Sequence, residues 1–149
     1  MKNIWQRWHM DKQRILTLID GLDSYLKELE HHRPKSFKIY EQNIEKRRFC
    51  ERTLQLAIEV CIDISKLIIK DLKLGLPPEE EYLFDKLHQE KIISLELKHI
   101  LQAMKRFRNV LIHRYVEIDD EIVFRNATKN IHDFKKFKQE ILHTLNEVK

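Results

Sequence analysis

At 149 residues the chain is about one domain long, and with 42% hydrophobic and 35% charged residues it can bury a core of its own. Two glycines and three prolines are too few for a turn-rich β-sandwich or barrel, which leaves an all-α protein as the expectation. A formal net charge of +4 gives only a mild bias towards polyanions. With no long apolar run and no signal-like start, a cytoplasmic protein without a membrane segment is expected.

In chain order, the first ten residues, with Trp5 and Trp8, read as an N-terminal extension of a single domain filling residues 1–149. Ile15, Leu18, Ile19, Leu22, Leu26 and Leu29 then recur at helical spacing and predict a helix over about 10–32. Pro34 ends it, because the residue before a proline is pushed out of the helical region. From Ser36 a second helical pattern runs to roughly Lys73 and stops at Gly75 and "LPPEEE". Three glutamates there suit the positive end of the next helix, a short one over about 79–90. A fourth helix is predicted over about 94–114, on the apolar set Leu97, Ile100, Ala103, Met104, Phe107, Val110 and Leu111. "VEIDDE" breaks the pattern, and with Asp119 as cap a last helix is expected over about 120–147. The sum is an up-and-down bundle of about five helices.

The second helix is apolar round most of its circumference, with a narrow stripe of Gln55, Glu59, Asp63 and Lys66. Such a helix must be covered on nearly all sides, so it is either central to the bundle or part of a dimer interface, and both can hold at once. Cys50 and Cys61 lie about 16 Å apart along that helix, too far to bridge, and read as reduced thiols. No Cys-x-x-Cys, His-Glu-x-x-His or glycine-rich phosphate loop is present, so no metal or other cofactor is expected.

The candidate chemistry lies in "RFRNVLIHRY", residues 106–115. On an ideal wheel Arg108 and Tyr115 share one flank of the apolar arc, while Asn109 and His113 share the other. Arg108 and His113 stand about 140° apart, so one helix cannot present both to a small ligand from a single face. Either the helix floors a cleft or a second copy faces it. A histidine can move a proton at neutral pH and an arginine offers forked donors to phosphate oxygens. Together they suit transfer of an RNA phosphoryl group to the neighbouring 2′-hydroxyl, which needs no metal. A solvated helix face accounts for the same spacing, and the residues alone leave the two readings open.

"RNVLIHRY", residues 108–115, resembles the Arg-x-x-x-x-His-x-Tyr motif of HepT-type toxins, a branch of the HEPN ribonucleases, with Asn109 as the polar residue customary after the arginine. Residues 51–69 resemble the family's central helix, and residues 107–124 its motif helix with the acidic break that follows. The resemblance implies an all-α homodimer acting as a metal-independent endoribonuclease, the toxin of a type VII-like toxin–antitoxin system. It further implies a partner, an MntA-type nucleotidyltransferase, that silences the toxin by transferring AMP to the motif tyrosine. Carried onto this chain, Arg108 and His113 are the catalytic pair in a cleft shared between protomers, Asn109 supports them, and Tyr115 is the AMPylation target. The alternative is a non-catalytic HEPN module that binds nucleotide or RNA beside such a nucleotidyltransferase.

Four further features stay open. Glu59 and Asp63 either orient the motif arginine or basic residues of a second subunit, or form the helix's wet stripe. Arg114 either adds charge at the cleft or caps its helix. The clusters Lys46-Arg47-Arg48 and Lys135-Lys136-Lys138 either track an RNA backbone or coat solvated faces.

Overall fold

The structure is a computed structural model that describes residues 11–147. The expected N-terminal extension lies outside the described residues. Among those described, seven α-helices and two short 3-10 turns form the fold, and no strand occurs, in agreement with the all-α composition.

Helix α1, Lys12–His32, starts where the Asp11 side chain accepts a hydrogen bond from Arg14 N, and ends as Arg33 turns extended before Pro34. Ser36 caps α2, Phe37–Gln42, and α3 follows over Ile44–Asp71. The single helix expected from Ser36 to Lys73 is therefore two. Asn43 leaves the helical region (φ −119°, ψ 103°), and its carboxamide accepts from Lys46 N at 3.0 Å, restarting the helix as an N-cap. The break turns Phe37 and Tyr40 onto Phe124, with ring centroids 5.8 and 5.6 Å away.

Helix α3 is the central element. Twelve of its residues are buried, and it packs against α1, α2, α4 (Glu81–Gln89), α5 (Leu95–His113) and α6 (Asp120–Ala127). The near-complete apolar circumference is thus satisfied inside one chain. Fully buried Leu22, Leu29, Leu87, Leu97 and Phe137 from the surrounding helices close the core around it. Cys50 and Cys61 are buried and unbridged, and burial pushes the Cys50 thiol up to about 11.

Helix α3 closes with Leu74 N donating to Ile69 O at 3.0 Å, and Gly75 sits at φ 87°, where a side chain would be strained. The last helix, expected unbroken over 120–147, is interrupted in the same way as the second. Thr128 (φ −119°, ψ −79°) ends α6, its hydroxyl donating to Phe124 O at 2.7 Å, and a 3-10 turn over Lys129–Ile131 leads into α7, His132–Asn146. No described helix is long and apolar enough to cross a membrane.

Candidate active site at the end of the fifth helix

Helix α5 is gripped at its start and surfaces at its end. Ser94 caps it, accepting from Leu97 N at 3.1 Å, and Leu97 and Leu101 are its only fully buried residues. Further along, Ile100, Met104, Phe107 and Leu111 touch the core while remaining partly open to solvent. The apolar stripe read from the sequence therefore holds the helix in place but is not sealed over its last two turns.

Arg108 points from this helix towards the junction of α3 and α4. Its guanidinium donates through Nη2 to Glu80 Oε2, and the side chain is only 13% exposed. Lys66, on α3, approaches the other oxygen of the same carboxylate at 3.5 Å. Burial alone would raise the Glu80 carboxyl, but Arg108 and then Lys66 outweigh it and hold the group below its ordinary value. Arg108 Nε is buried with no hydrogen-bond partner among the described residues.

Of the two acidic residues weighed on the central helix, Glu59 accepts from Gln55 Nε2 at 3.0 Å on its own helix. Asp63 feels both Lys66 and Arg108. Desolvation nevertheless dominates there, with Glu59 and Glu80 adding repulsion, and its carboxyl is raised above the ordinary range. Glu80 was not legible as a site residue. It stands in a run of three glutamates that suits a helix N-terminus, and nothing in the spacing signals a contact 28 residues away.

Asn109 is half-buried and His113 exposed at the last helical position; neither side chain makes a hydrogen bond among the described residues. Arg114 then leaves the helix (φ −128°, ψ 42°), with its N–H on Val110 O and its guanidinium 3.8 Å from Glu117. It occupies the C-cap position. Tyr115 consequently lies in a 3-10 turn, Tyr115–Glu117, with 70% of its surface exposed. The wheel that set Tyr115 on the flank of Arg108 does not extend so far, because the fourth predicted helix ends one residue short of 114.

The two basic clusters are engaged within the chain. Lys46 donates to His32 O at 2.8 Å, Arg47 and Arg48 face Asp120 at 3.5 Å and Glu51 at 2.9 Å, and Lys135, Lys136 and Lys138 face Glu30, Glu96 and Asp23 at 2.6, 2.9 and 2.7 Å. They serve helix ends and helix-to-helix pairing. No group of three or more metal-ligating side chains occurs among the described residues.

An all-α fold carrying this motif at an exposed helix end is the arrangement expected of a HepT-like protein. Residues 22–141 match the ribonuclease HepT-like family, and the chain belongs to it. It is 33% identical over 84 residues to the mRNA nuclease HepT of Shewanella oneidensis, covering 56% of this chain and 63% of that protein, a little under two thirds of the relative's length. The tRNA nuclease HepT of Aphanizomenon flos-aquae is 29% identical over 127 residues, covering 85% of this chain and 86% of that protein. The fold is also that of the tri-AMPylated Shewanella oneidensis HEPN toxin solved in complex with its MNT antitoxin, at a TM-score of 0.80 and 24% identity over 96% of this chain and 99% of that one.

Proposed function

We propose that the chain is a metal-independent endoribonuclease toxin that works as a homodimer. The observation that carries this reading is the arrangement of the motif on α5 of a HepT-like protein: a carboxylate-held arginine facing inward, and an unengaged histidine at the helix end. In the reaction His113 takes the proton of the 2′-hydroxyl as it attacks the adjacent phosphorus, or returns one to the departing 5′-oxygen. Arg108 stabilises the charge that builds on the non-bridging oxygens, and Asn109 orients the phosphate or the imidazole. The P–O5′ bond breaks as the P–O2′ bond forms, leaving a 2′,3′-cyclic phosphate and a free 5′-hydroxyl.

Within one helix Arg108 and His113 diverge by about 140° and about 7.5 Å of rise, so a second protomer supplies the missing half of each site. The incompletely covered final turns of α5, with Val110 and Ile112 half-buried, support a partner copy there. Tyr115 is the residue that an MntA-type nucleotidyltransferase modifies with AMP. Its phenol is free of intrachain hydrogen bonds among the described residues and lies two positions beyond His113. Phosphates placed on it would compete with RNA for the same cleft. The resemblance to nucleases named for mRNA and tRNA and to a toxin solved with its antitoxin supports both parts.

The test is cleavage of RNA by wild type and by His113→Ala in excess EDTA. Cleavage that persists with the chelator and disappears in the variant is expected. An inert wild type, or a variant that cuts equally well, refutes the catalytic reading.

A further inference from the structure

The pair formed by Arg108 and Glu80 has a use that the motif does not contain. We propose that Glu80 is a positioning residue for the reaction: its carboxylate fixes the guanidinium of Arg108 so that the remaining donors meet the RNA phosphate in one orientation. The inference rests on the ribonuclease reading above and adds to it a residue outside the Arg-x-x-x-x-His-x-Tyr motif.

An arginine side chain has many rotamers, and a freely swinging guanidinium must give up that freedom on meeting a phosphate. Here that freedom is already restricted. One Nη2 hydrogen bond goes to Glu80, and 13% exposure of the side chain confines the rest. The anchor is itself stiff. Glu80 follows Pro77 and Pro78, has helical backbone angles (φ −60°, ψ −30°), and lends its carbonyl to Leu83 N at 3.1 Å at the start of α4. Its second oxygen faces Lys66 at 3.5 Å, so the carboxylate is shared between cations from two different helices. The three elements α3, α4 and α5 therefore converge on a single carboxylate, and Arg108 is aimed by the fold as well as by its own helix. With one Nη2 donor committed and Nε buried, three N–H groups on the two Nη atoms remain for a phosphate.

The opposite effect of the same contact would be competition, in which the carboxylate withholds the arginine from phosphate. The two differ in sign. If Glu80 positions Arg108, Glu80→Ala lowers kcat about tenfold with KM within about twofold, since the orientation of Arg108 is lost while its own positive charge is kept. Glu80→Gln keeps an oxygen acceptor for Nη2 and recovers part of kcat. Wild type, both variants and Arg108→Ala are compared on one RNA. In parallel, rotation of the Arg108 guanidinium is followed by selective 15N labelling, with Arg108→Ala identifying its signal.

Faster rotation in Glu80→Ala than in wild type, partial slowing in Glu80→Gln and a fall in kcat are the expected set. Unchanged kcat, a raised kcat/KM in Glu80→Ala, or unchanged rotation overturns the proposal. If wild type cuts no RNA, the ribonuclease reading fails while the rotation measurement still decides whether Glu80 clamps the arginine. A circular dichroism melt of Glu80→Gln with an unchanged midpoint separates positioning from loss of fold.

Discussion

Removing one hydroxyl at the start of α5 tests how the motif helix is held. Ser94 Oγ accepts from Leu97 N at 3.1 Å and donates to Glu140 Oε2 at 3.0 Å, while Ser94 N donates to Glu140 Oε1 at 2.7 Å. Ser94→Ala deletes the first two and spares the third. Loss of an N-cap costs about 1 kcal/mol, and the exposed hydroxyl–carboxylate bond adds at most about 1 more after screening. A total of about 1–2 kcal/mol in a chain of this size lowers Tm by about 3–6 °C. Scanning calorimetry of wild type, Ser94→Ala and Ser94→Thr reads it directly, and threonine, which keeps a capping oxygen, should restore most of the midpoint. Cleavage per folded molecule at 25 °C should not change, because the motif lies at the other end of the helix. A fall below about 1 °C for alanine would show that Leu97 and Leu101 hold the helix start without the cap, and the reasoning would fail.

Two further outcomes bear on the site. The Asp63 carboxyl is raised above 3.8 by desolvation, so its ionised form opposes folding at neutral pH. Asp63→Asn should therefore raise Tm at pH 7. The gain should shrink as pH falls through the raised folded value and vanish below 3.8, where the group is protonated in both states. A gain that is independent of pH would assign the effect to packing. For Tyr115, co-expression with an MntA-type nucleotidyltransferase should add AMP units to the intact mass of wild type and none to Tyr115→Phe. Retained mass increments in the variant would move the modification to another tyrosine, such as the half-exposed Tyr82.

Much of the fold was legible because apolar periodicity and terminal signals agree at most helix ends. Helix α1 and helix α5 fall within two residues of the expected bounds, and α4, Glu81–Gln89, lies inside the expected 79–90. Two breaks were not legible. Asn43 and Thr128 interrupt runs whose apolar spacing continues on both sides, and each acts through a side-chain bond to nearby backbone that competes weakly with a helix until tertiary packing favours the kink. At Asn43 that packing is the cluster of Phe37, Tyr40 and Phe124, which joins segments more than 80 residues apart. The site divides on the same line. Arg108, Asn109, His113 and Tyr115 stand together as a local motif in the sequence, whereas Glu80 meets Arg108 and Lys66 only because the turn after α3 brings it back to them. Rotation within one helix separates Glu59 from Asp63. Glu59 turns to Gln55, and Asp63 lies within electrostatic reach of the arginine.

The end of α5 at His113 has a consequence for how a switch on this chain would behave. Tyr115 hangs past the last hydrogen-bonded turn, and no core residue depends on it. A group joined to its hydroxyl would grow outward from a three-residue turn, leaving every helix contact where it was. Adding or removing that group would cost only its own chemistry, with no unfolding to pass through and none to repair. The chain could be silenced as a finished object and stored that way.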